Sequence, residues 1–579
     1  MHPRIGRRRA SRATFTCAVK ILSRWPLYPL LLAAYAVLFV YAANISEVLL
    51  EQLIEPLVQA VGFGLAVFAV SALLYRDLRR GALLASAILL AVLFFGQAAF
   101  QLGGADIPEE VQLVAWVVFI VAVGVYAARA KGSLATATAG LNIFTLILVA
   151  MSLVTIVPAE TTRAVRASEG EPVTDDVIIE ATRNPERDIY FLNFDRYGSD
   201  WSLKQAYGIE NDIYPDLEAM GFQVIPGARA NYHTSDLSLA STLNMRYLDD
   251  LTETLGRDSG DRTPARELMA RHEVGTFLRQ QGYRFYHIGA WWEPTRTSPI
   301  ADEVLSLGKT AEFGSVLKGG TILPTLEKLA GREEPDTPSR AQHRDMALFA
   351  IRQVQHLGRT PGRKFVFAHI LLPHPPYVLA DGGRRVLKEE ADSTSEAELF
   401  AQQLRYTNDL MKRTVASLLD GPDETDPIIV LSADEGPYLC GDDDCVDGSP
   451  EQYGIRHGVL RAYYLPGLDH TVPADDSGVN IFRMLLREYF GADLPDLPNR
   501  SYTWPDKAHI YDFQDVTDIL PLPGGPGYRP PSEQHSITTG EASPAPEAPT
   551  PASEASPAPE ASPAPEANPA PEANPAPEA

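Results

Sequence analysis

Five apolar stretches follow one another near the start of the chain, at residues 26–45, 54–75, 82–102, 111–128 and 135–158. Each is close to the ~20 residues a helix needs to cross the hydrocarbon core. The spacing predicts five transmembrane helices over 26–158, preceded by a basic N-terminus at 1–25. A cleaved signal peptide would be followed by a polar mature chain. Here four more apolar stretches follow the first, so it is expected to remain as a helix. Lys and Arg set the expected orientation. Arg4, Arg7, Arg8, Arg9, Arg12, Lys20 and Arg24 precede the first stretch, Arg76, Arg79 and Arg80 follow the second, and Arg129 and Lys131 follow the fourth. The alternate connections carry Glu47, Glu51, Asp106, Glu109 and Glu110 and no basic residue. This pattern puts the N-terminus in the cytoplasm and everything after Pro158 outside the cytoplasmic membrane, with the lipid bilayer as a partner. No stretch has a charge at its centre, which argues against an ion or proton path.

The formal net charge is -24. No basic stripe offers a footprint for nucleic acid. Of three cysteines, Cys17 lies in the basic segment, while Cys440 and Cys445 flank Gly-Asp-Asp-Asp. A disulfide there would suit an oxidising compartment; two free thiols are the alternative. From about Arg529 the chain becomes six-residue repeats of Pro, Ala, Glu and Ser or Asn. These lack the large apolar residues a core needs, so 526–579 is expected to be an extended, disordered tail.

Between linker 159–187 and the tail, residues 188–525 read as one large domain. Ile189-Tyr-Phe-Leu-Asn-Phe194, Phe365-Val-Phe-Ala-His-Ile-Leu-Leu372 and Ile428-Ile-Val-Leu431 are short apolar runs of the kind buried parallel strands give. Helix-like segments at 398–419 and 479–490 alternate with them. The expectation is an α/β domain with a mainly parallel sheet covered by helices. In such sheets ligands bind at the carboxyl ends of the strands. All three runs lead into chemistry: Asp195, then His369 and His374-Pro-Pro-Tyr377, then Asp434-Glu435-Gly436. A single Asp after a strand is ordinarily a turn or cap residue. Three such ends together suggest a divalent-metal site. A fourth segment, Asn231-Tyr-His-Thr234-Ser235-Asp, places hydroxyls before a helix-like run, where a phosphate or an ordinary N-cap fits.

The order of these pieces, closed by Arg456-His457-Gly, resembles the sulfatase-like branch of the alkaline phosphatase superfamily. More narrowly it is similar to lipoteichoic acid synthases and lipid A phosphoethanolamine transferases, which also have five membrane helices before an extracytoplasmic catalytic domain. The resemblance implies the following roles. Asp195, Asp434 and Glu435 hold a divalent metal: manganese, magnesium or zinc. Glu435 stands where the family usually has His, and a third carboxylate favours manganese or magnesium. Ser235 or Thr234 is the nucleophile of a phospho-intermediate. The Thr-Ser-Asp string fits Thr234, while the spacing to Ser238-Leu-Ala-Ser favours Ser235. His369, His374, His287, Arg296 and His457 bind substrate. Asp336-Thr-Pro-Ser-Arg340 lacks the Cys or Ser that formylglycine sulfatases require.

The function implied is a membrane-anchored phosphotransferase of the cell envelope. It would move a phosphoglycerol or phosphoethanolamine headgroup from a phospholipid donor to an envelope glycan or glycolipid acceptor. Two rivals share the same sequence features: a phosphodiesterase or phosphatase with water as acceptor, and a non-catalytic envelope scaffold.

Overall fold

The computed structural model describes residues 25–45, 48, 50–103, 107–169, 179–307, 312–330, 338–420, 426–438, 448–469 and 471–524. They all fall within one unit, Met1–Tyr528. The basic N-terminus, Cys17, the Cys440 and Cys445 pair, Asp336 and the repeat tail lie outside the described residues.

All five apolar stretches form helices: α1 (Tyr28–Ala43), α2 (Leu50–Tyr75), α3 (Leu78–Leu93), α4 (Phe95–Gly103), α5 (Glu109–Arg129) and α6 (Ala135–Glu169). Among the described residues three spans are long and apolar enough to cross a membrane: Leu50–Tyr75, Glu109–Arg129 and Ala135–Val165. α1 is shorter, at 16 residues, and the third stretch is divided at Phe94. α6 does not stop at Pro158 but runs through it, so the expected linker begins as helix. Leu73, Leu74, Met151 and Val154 are exposed on α2 and α6, a surface that needs an apolar surrounding.

Polar side chains tie the helices together. The Asn142 carboxamide oxygen on α6 accepts the Leu27 and Tyr28 amides at 2.9 and 2.8 Å, and its nitrogen donates to Trp25 O at 2.8 Å. It thereby satisfies donors at the start of α1 that have no partner within the helix. Arg163, near the end of α6, pairs with Glu160 at 2.7 Å, donates to Ile45 O at 2.5 Å, and lies 3.4 Å from Asp261. That contact joins the helical region to the α/β domain, one residue before Arg262.

The domain is built on a seven-stranded sheet of β1 (Ile189–Phe194), β2 (Gln223–Val224), β3 (Arg284–Ile288), β4 (Glu303–Leu305), β5 (Lys364–Ile370), β6 (Ile428–Ser432) and β7 (Arg461–Tyr464). Their order is β2-β7-β6-β1-β5-β3-β4. Pairings from β6 through β4 are parallel, while β7 runs antiparallel to both β6 and β2. The sheet is thus mixed but mostly parallel. β1, β5 and β6 are buried along their whole length, which is why they read as unbroken apolar runs rather than alternating ones. Phe191 stacks on Phe367 at 5.5 Å and meets Phe482 of the Asn480–Phe490 helix edge-on at 5.1 Å. The Glu396–Leu419 helix buries Leu399, Leu404, Met411 and Val415 in the same core.

Candidate active site

β1 is the central strand, with β5 and β6 on either side. Asn193 is in register with His369 on β5 and with Ser432 on β6. Asp195 lies one residue beyond β1 and Asp434 two beyond β6, so parallel pairing carries three separate segments to one edge. One ligand atom from each of Asp195, His369 and Asp434 can be chosen so that all lie within 4.8 Å of one another. All three residues are buried. His369 Nε2 is 3.6 Å from Asp195 Oδ2 and 3.5 Å from Asp434 Oδ2.

Asp195 Oδ1, Asp434 Oδ2 and His369 Nε2 have no hydrogen-bond partner although they are buried. Buried polar atoms are ordinarily paired. Two carboxylates and an imidazole that converge in the interior, held to one another only by contacts of 3.5–3.6 Å and with a buried oxygen or nitrogen on each left without a hydrogen bond, are the kind of donor set that suits a divalent cation, so these residues fit the implied metal. Charge points the same way. Burial and the neighbouring Asp434 push the Asp195 carboxyl up. Burial alone would depress His369, but the two carboxylates outweigh it and push its pKa up to about 10. A proton is thus drawn to the place where positive charge is wanted. Two carboxylates and an imidazole admit zinc as well as manganese.

The surroundings hold this set rigidly. Asn193 Nδ2 donates to Asp434 Oδ1 at 2.8 Å. His369 Nδ1 pairs with Thr295 Oγ1 at 2.9 Å, and His287 Nε2 with Thr295 O at 2.8 Å. The second nitrogen of a metal-binding His is ordinarily held in this way. Gly436 belongs to the Asp-Glu-Gly string because a Cβ there would sit 2.0 Å from Ile455 O.

Ser235 opens a helix, Ser235–Asn244, and the structure separates it from Thr234. The Thr234 hydroxyl donates to Asp236 Oδ1 at 2.8 Å, which commits it to the helix start. Ser235 lies within reach of Asp434: burial raises that carboxyl, but His369, Asn193 and Ser235 together outweigh it and hold it below its ordinary value. Both residues line a cavity of about 210 Å³ with Asp195, Arg196, Arg262, Arg266, Trp291, Trp292, His374, Glu435 and Tyr438.

Three guanidiniums border this cavity. Arg262 donates to both Asp236 oxygens at 3.0 Å, and Arg266 lies 3.6 Å from the same carboxylate. Despite the cost of burial, these arginines hold Asp236 below the usual carboxylate range. Arg196 adopts φ 58°, uncommon for a residue with a Cβ. Such strain persists only where neighbours over-determine it; here Arg196 Nε reaches Glu435 at 3.3 Å and its guanidinium stacks on Tyr438 at 3.5 Å. Arg262→Ala is expected to destabilise the domain by roughly 3 kcal/mol, because Asp236 would keep a buried charge with less compensation. Chemical denaturation of Arg262→Ala beside the double variant Arg262→Ala/Asp236→Ala checks this: the second removal should recover most of the loss.

The remaining residues singled out from the sequence divide into two groups. Glu435 and His374 line the cavity. Glu435 lies outside the Asp–His–Asp cluster, its oxygens engaged by Arg196 and by the Tyr438 hydroxyl at 2.6 Å. His287, Arg296 and His457 are not in the cavity wall. His287 sits behind Thr295. Arg296 holds the tryptophan loop through Trp291 O at 3.1 Å and Glu293 at 2.5 Å. His457 is buried, with Nδ1 3.0 Å from Ala230 O. The residues that sequence reasoning missed are Arg196, Arg262, Arg266, Asp236, Thr295 and Tyr438. Arg196 could have been found as the neighbour of Asp195. Thr295 could have been found as the neighbour of Arg296, while nothing in the sequence around Arg262 signals a site.

Fold and site together describe an apolar helical region followed by an α/β domain. At one edge of its sheet are an Asp–His–Asp cluster, a serine at a helix start and a ring of arginines. No family model matches this sequence, and no curated protein matches it. Among solved structures, the chain is similar to the C-terminal periplasmic domain of EcEptC from Escherichia coli in complex with Zn, at 9% identity over 62% of this chain and 99% of that one, with a TM-score of 0.41. It is similar to the integral membrane protein lipooligosaccharide phosphoethanolamine transferase A (EptA) from Neisseria meningitidis, at 12% identity over 85% of this chain and 98% of that one, TM-score 0.35. It is also similar to a protein in the alkaline phosphatase superfamily from Vibrio parahaemolyticus, at 13% identity over 59% of this chain and 80% of that one, TM-score 0.34.

Proposed function

We propose that this protein is a membrane-anchored, metal-dependent phosphotransferase of the sulfatase-like type, with five membrane passes and its α/β domain outside the cytoplasmic membrane. It takes a phospholipid headgroup onto Ser235 and passes it to a hydroxyl of an envelope glycan or glycolipid. The observation that carries this reading is Ser235 at the start of a helix, lining one cavity with Asp195 of the Asp–His–Asp cluster and with Arg196, Arg262 and Arg266.

Asp195, His369 and Asp434 would hold the metal. When bound, a divalent ion lowers the pKa of a nearby hydroxyl and neutralises phosphoryl charge. The arginines and the helix N-terminus hold phosphate oxygens as negative charge builds. Ser235 Oγ forms a bond to phosphorus while the phosphorus–oxygen bond to the diacylglycerol breaks. The serine proton ends on the departing oxygen. In the second step the acceptor hydroxyl bonds to phosphorus, Ser235 Oγ leaves, and the acceptor's proton returns to it. His374 lines the cavity, and burial and Arg196 hold its pKa well below the ordinary value, so it stays a neutral imidazole that can hydrogen-bond the reacting oxygens without holding their proton. Trp291 and Trp292 shield the reacting centre on one side, and Thr295 keeps His369 turned toward the carboxylates.

Metal analysis of the full-length protein tests the reading, with manganese, magnesium and zinc each offered. The parent is expected to bind one ion per chain. Asp195→Ala, His369→Ala and Asp434→Ala should lose it, and Glu435→Gln should keep it. A folded parent that binds none of the three metals would overturn the proposal. Products formed with and without an alcohol acceptor then separate transfer from hydrolysis.

A further inference from the structure

α3 ends at Leu93 and α4 begins at Phe95. In an unbroken helix the Gly96 amide would bond to the Val92 carbonyl. Here each finds a partner far along the chain. Gly96 N–H donates to Gly320 O at 3.0 Å, and Ile322 N–H donates to Val92 O at 2.9 Å. One helical hydrogen bond has been replaced by two that clip residues 320–322 into the gap. A Cβ on Gly96 would lie 2.1 Å from Gly319 O, so the approach needs glycine. Backbone groups left unpaired among hydrocarbon are costly, and the clip leaves both ends of the break satisfied.

The clipped segment contains two short helices, Glu312–Gly319 and Leu323–Leu329. Phe313 is buried edge-on against Tyr41 of α1, with ring centroids 6.1 Å apart. Val316, Leu323, Leu326 and Leu329 of the pair are 52, 46, 44 and 55% exposed. A helix pair anchored to apolar helices and leaving these side chains uncovered belongs at the level of the acyl chains.

Two cavities, of about 450 and 600 Å³, adjoin the clip and share Val40, Gln97 and Gly320. The first has Val37, Phe63 and Leu317 in its walls; the second has Phe39 and Val316. Lys318 is the one charged side chain lining either, among the described residues, and it pairs with Glu327 at 2.9 Å. A third cavity, of about 220 Å³, is lined by Val48 and Glu51 at the start of α2 and by Arg266, which also borders the catalytic cavity.

We infer that the two cavities beside the Gly96–Gly320 clip hold the two acyl chains of a glycerophospholipid. Paired apolar cavities with a shared wall match a two-chained lipid. Their walls come from helices whose outer faces already demand a hydrocarbon surrounding, and Lys318, now paired with Glu327, can exchange that carboxylate for the lipid phosphate. The assignment names the chemistry of the lipid donor and in that respect rests on the function proposed above.

Full-length protein in lipid nanodiscs tests it, using a phosphatidylglycerol with a photoreactive diazirine in one acyl chain and peptide mapping of the label. The label should concentrate on peptides containing Val37, Phe63 and Leu317, well above that at Leu73 and Leu74, which face lipid elsewhere. Leu317→Trp and Ala60→Phe, which fill the first cavity, should each lower the cavity label by about tenfold, equivalent to ~1.4 kcal/mol. Even labelling of all apolar faces of the unsubstituted protein would overturn the inference, as would full labelling in both folded variants. Asp434→Ala separates this inference from the catalytic reading. If Asp434→Ala keeps phosphodiester cleavage, the catalytic reading fails, and the label map still decides the lipid site.

Discussion

Replacing Ser235 with alanine is expected to lower kcat for phosphodiester cleavage by at least about 10³-fold, as loss of a nucleophile does. Thr234→Ala should cost roughly tenfold or less, because its hydroxyl holds Asp236 rather than the reacting centre. The two residues are neighbours, so the contrast isolates geometry from chemistry. Ser235 lies within reach of Asp434, whereas Thr234 is turned into the Asp236–Arg262 pair. Thr234→Ser should return near-parent activity, since it keeps the hydrogen bond to Asp236. Acid quenching during turnover followed by peptide mass analysis should find the added phosphoryl group on Ser235. A phosphoryl group on Thr234, with Ser235→Ala still active, would reverse the assignment.

The second large effect concerns acid stability. Burial holds the imidazoles of His272, His287, His343 and His457 below their ordinary range: His272 at about 3 and the other three at about 4. An unfolded His takes up its proton near pH 6.5. Between these limits the unfolded chain binds more protons than the folded one, so stability falls as pH drops below about 6.5. Each group contributes a slope approaching ~1.4 kcal/mol per pH unit, and four together approach about 5.5. His369 works in the opposite sense in the metal-free protein. With its pKa raised to about 10, its contribution is fully present below pH 6.5 and is lost as pH rises through about 10. It therefore offsets none of the change over the acid range.

At His272, where burial and the neighbouring His287 oppose a charge, a hydrogen bond also stands in the proton's way. Its Nδ1 accepts the Gly275 amide at 2.9 Å and caps the Glu273–Gln280 helix. Protonation would put a hydrogen on that acceptor. Melting of the full-length protein between pH 6.5 and 5.0 should show a fall of roughly 10 °C. A midpoint that stays level over that range would show that these histidines accept protons without cost.

Residues whose signal is local were legible in the chain. Unbroken apolar runs at 189–194, 365–372 and 428–431 became β1, β5 and β6, the second ending at Ile370, because strands buried on both faces have no polar side to alternate with. Asp195, His369 and Asp434 drew notice because ligands of parallel sheets bind at strand ends, and the structure brings the three together, with His369, read from the sequence as substrate-binding, between the two carboxylates. The helical stretches were likewise readable from length and apolarity. The break at Phe94 was not, because Phe94 and its apolar neighbours suit a continuous helix. The break depends on partners near residue 320, more than two hundred positions away.

Sequence by itself therefore determined the apolar helical region, the mostly parallel α/β domain and three strand ends that carry acidic or histidine residues. All of these follow from local composition and period. Tertiary structure alone decided which chemistry meets which. It set His369 between Asp195 and Asp434, gave Arg196 and Tyr438 to Glu435, turned Thr234 to Asp236 while Ser235 came within reach of Asp434, and brought Arg262 and Arg266 to the cavity. Those pairings join residues up to about 240 positions apart, as Asn193 and Asp434 are. They depend on strand order and register, which are settled only when the whole sheet packs and buries both of its faces.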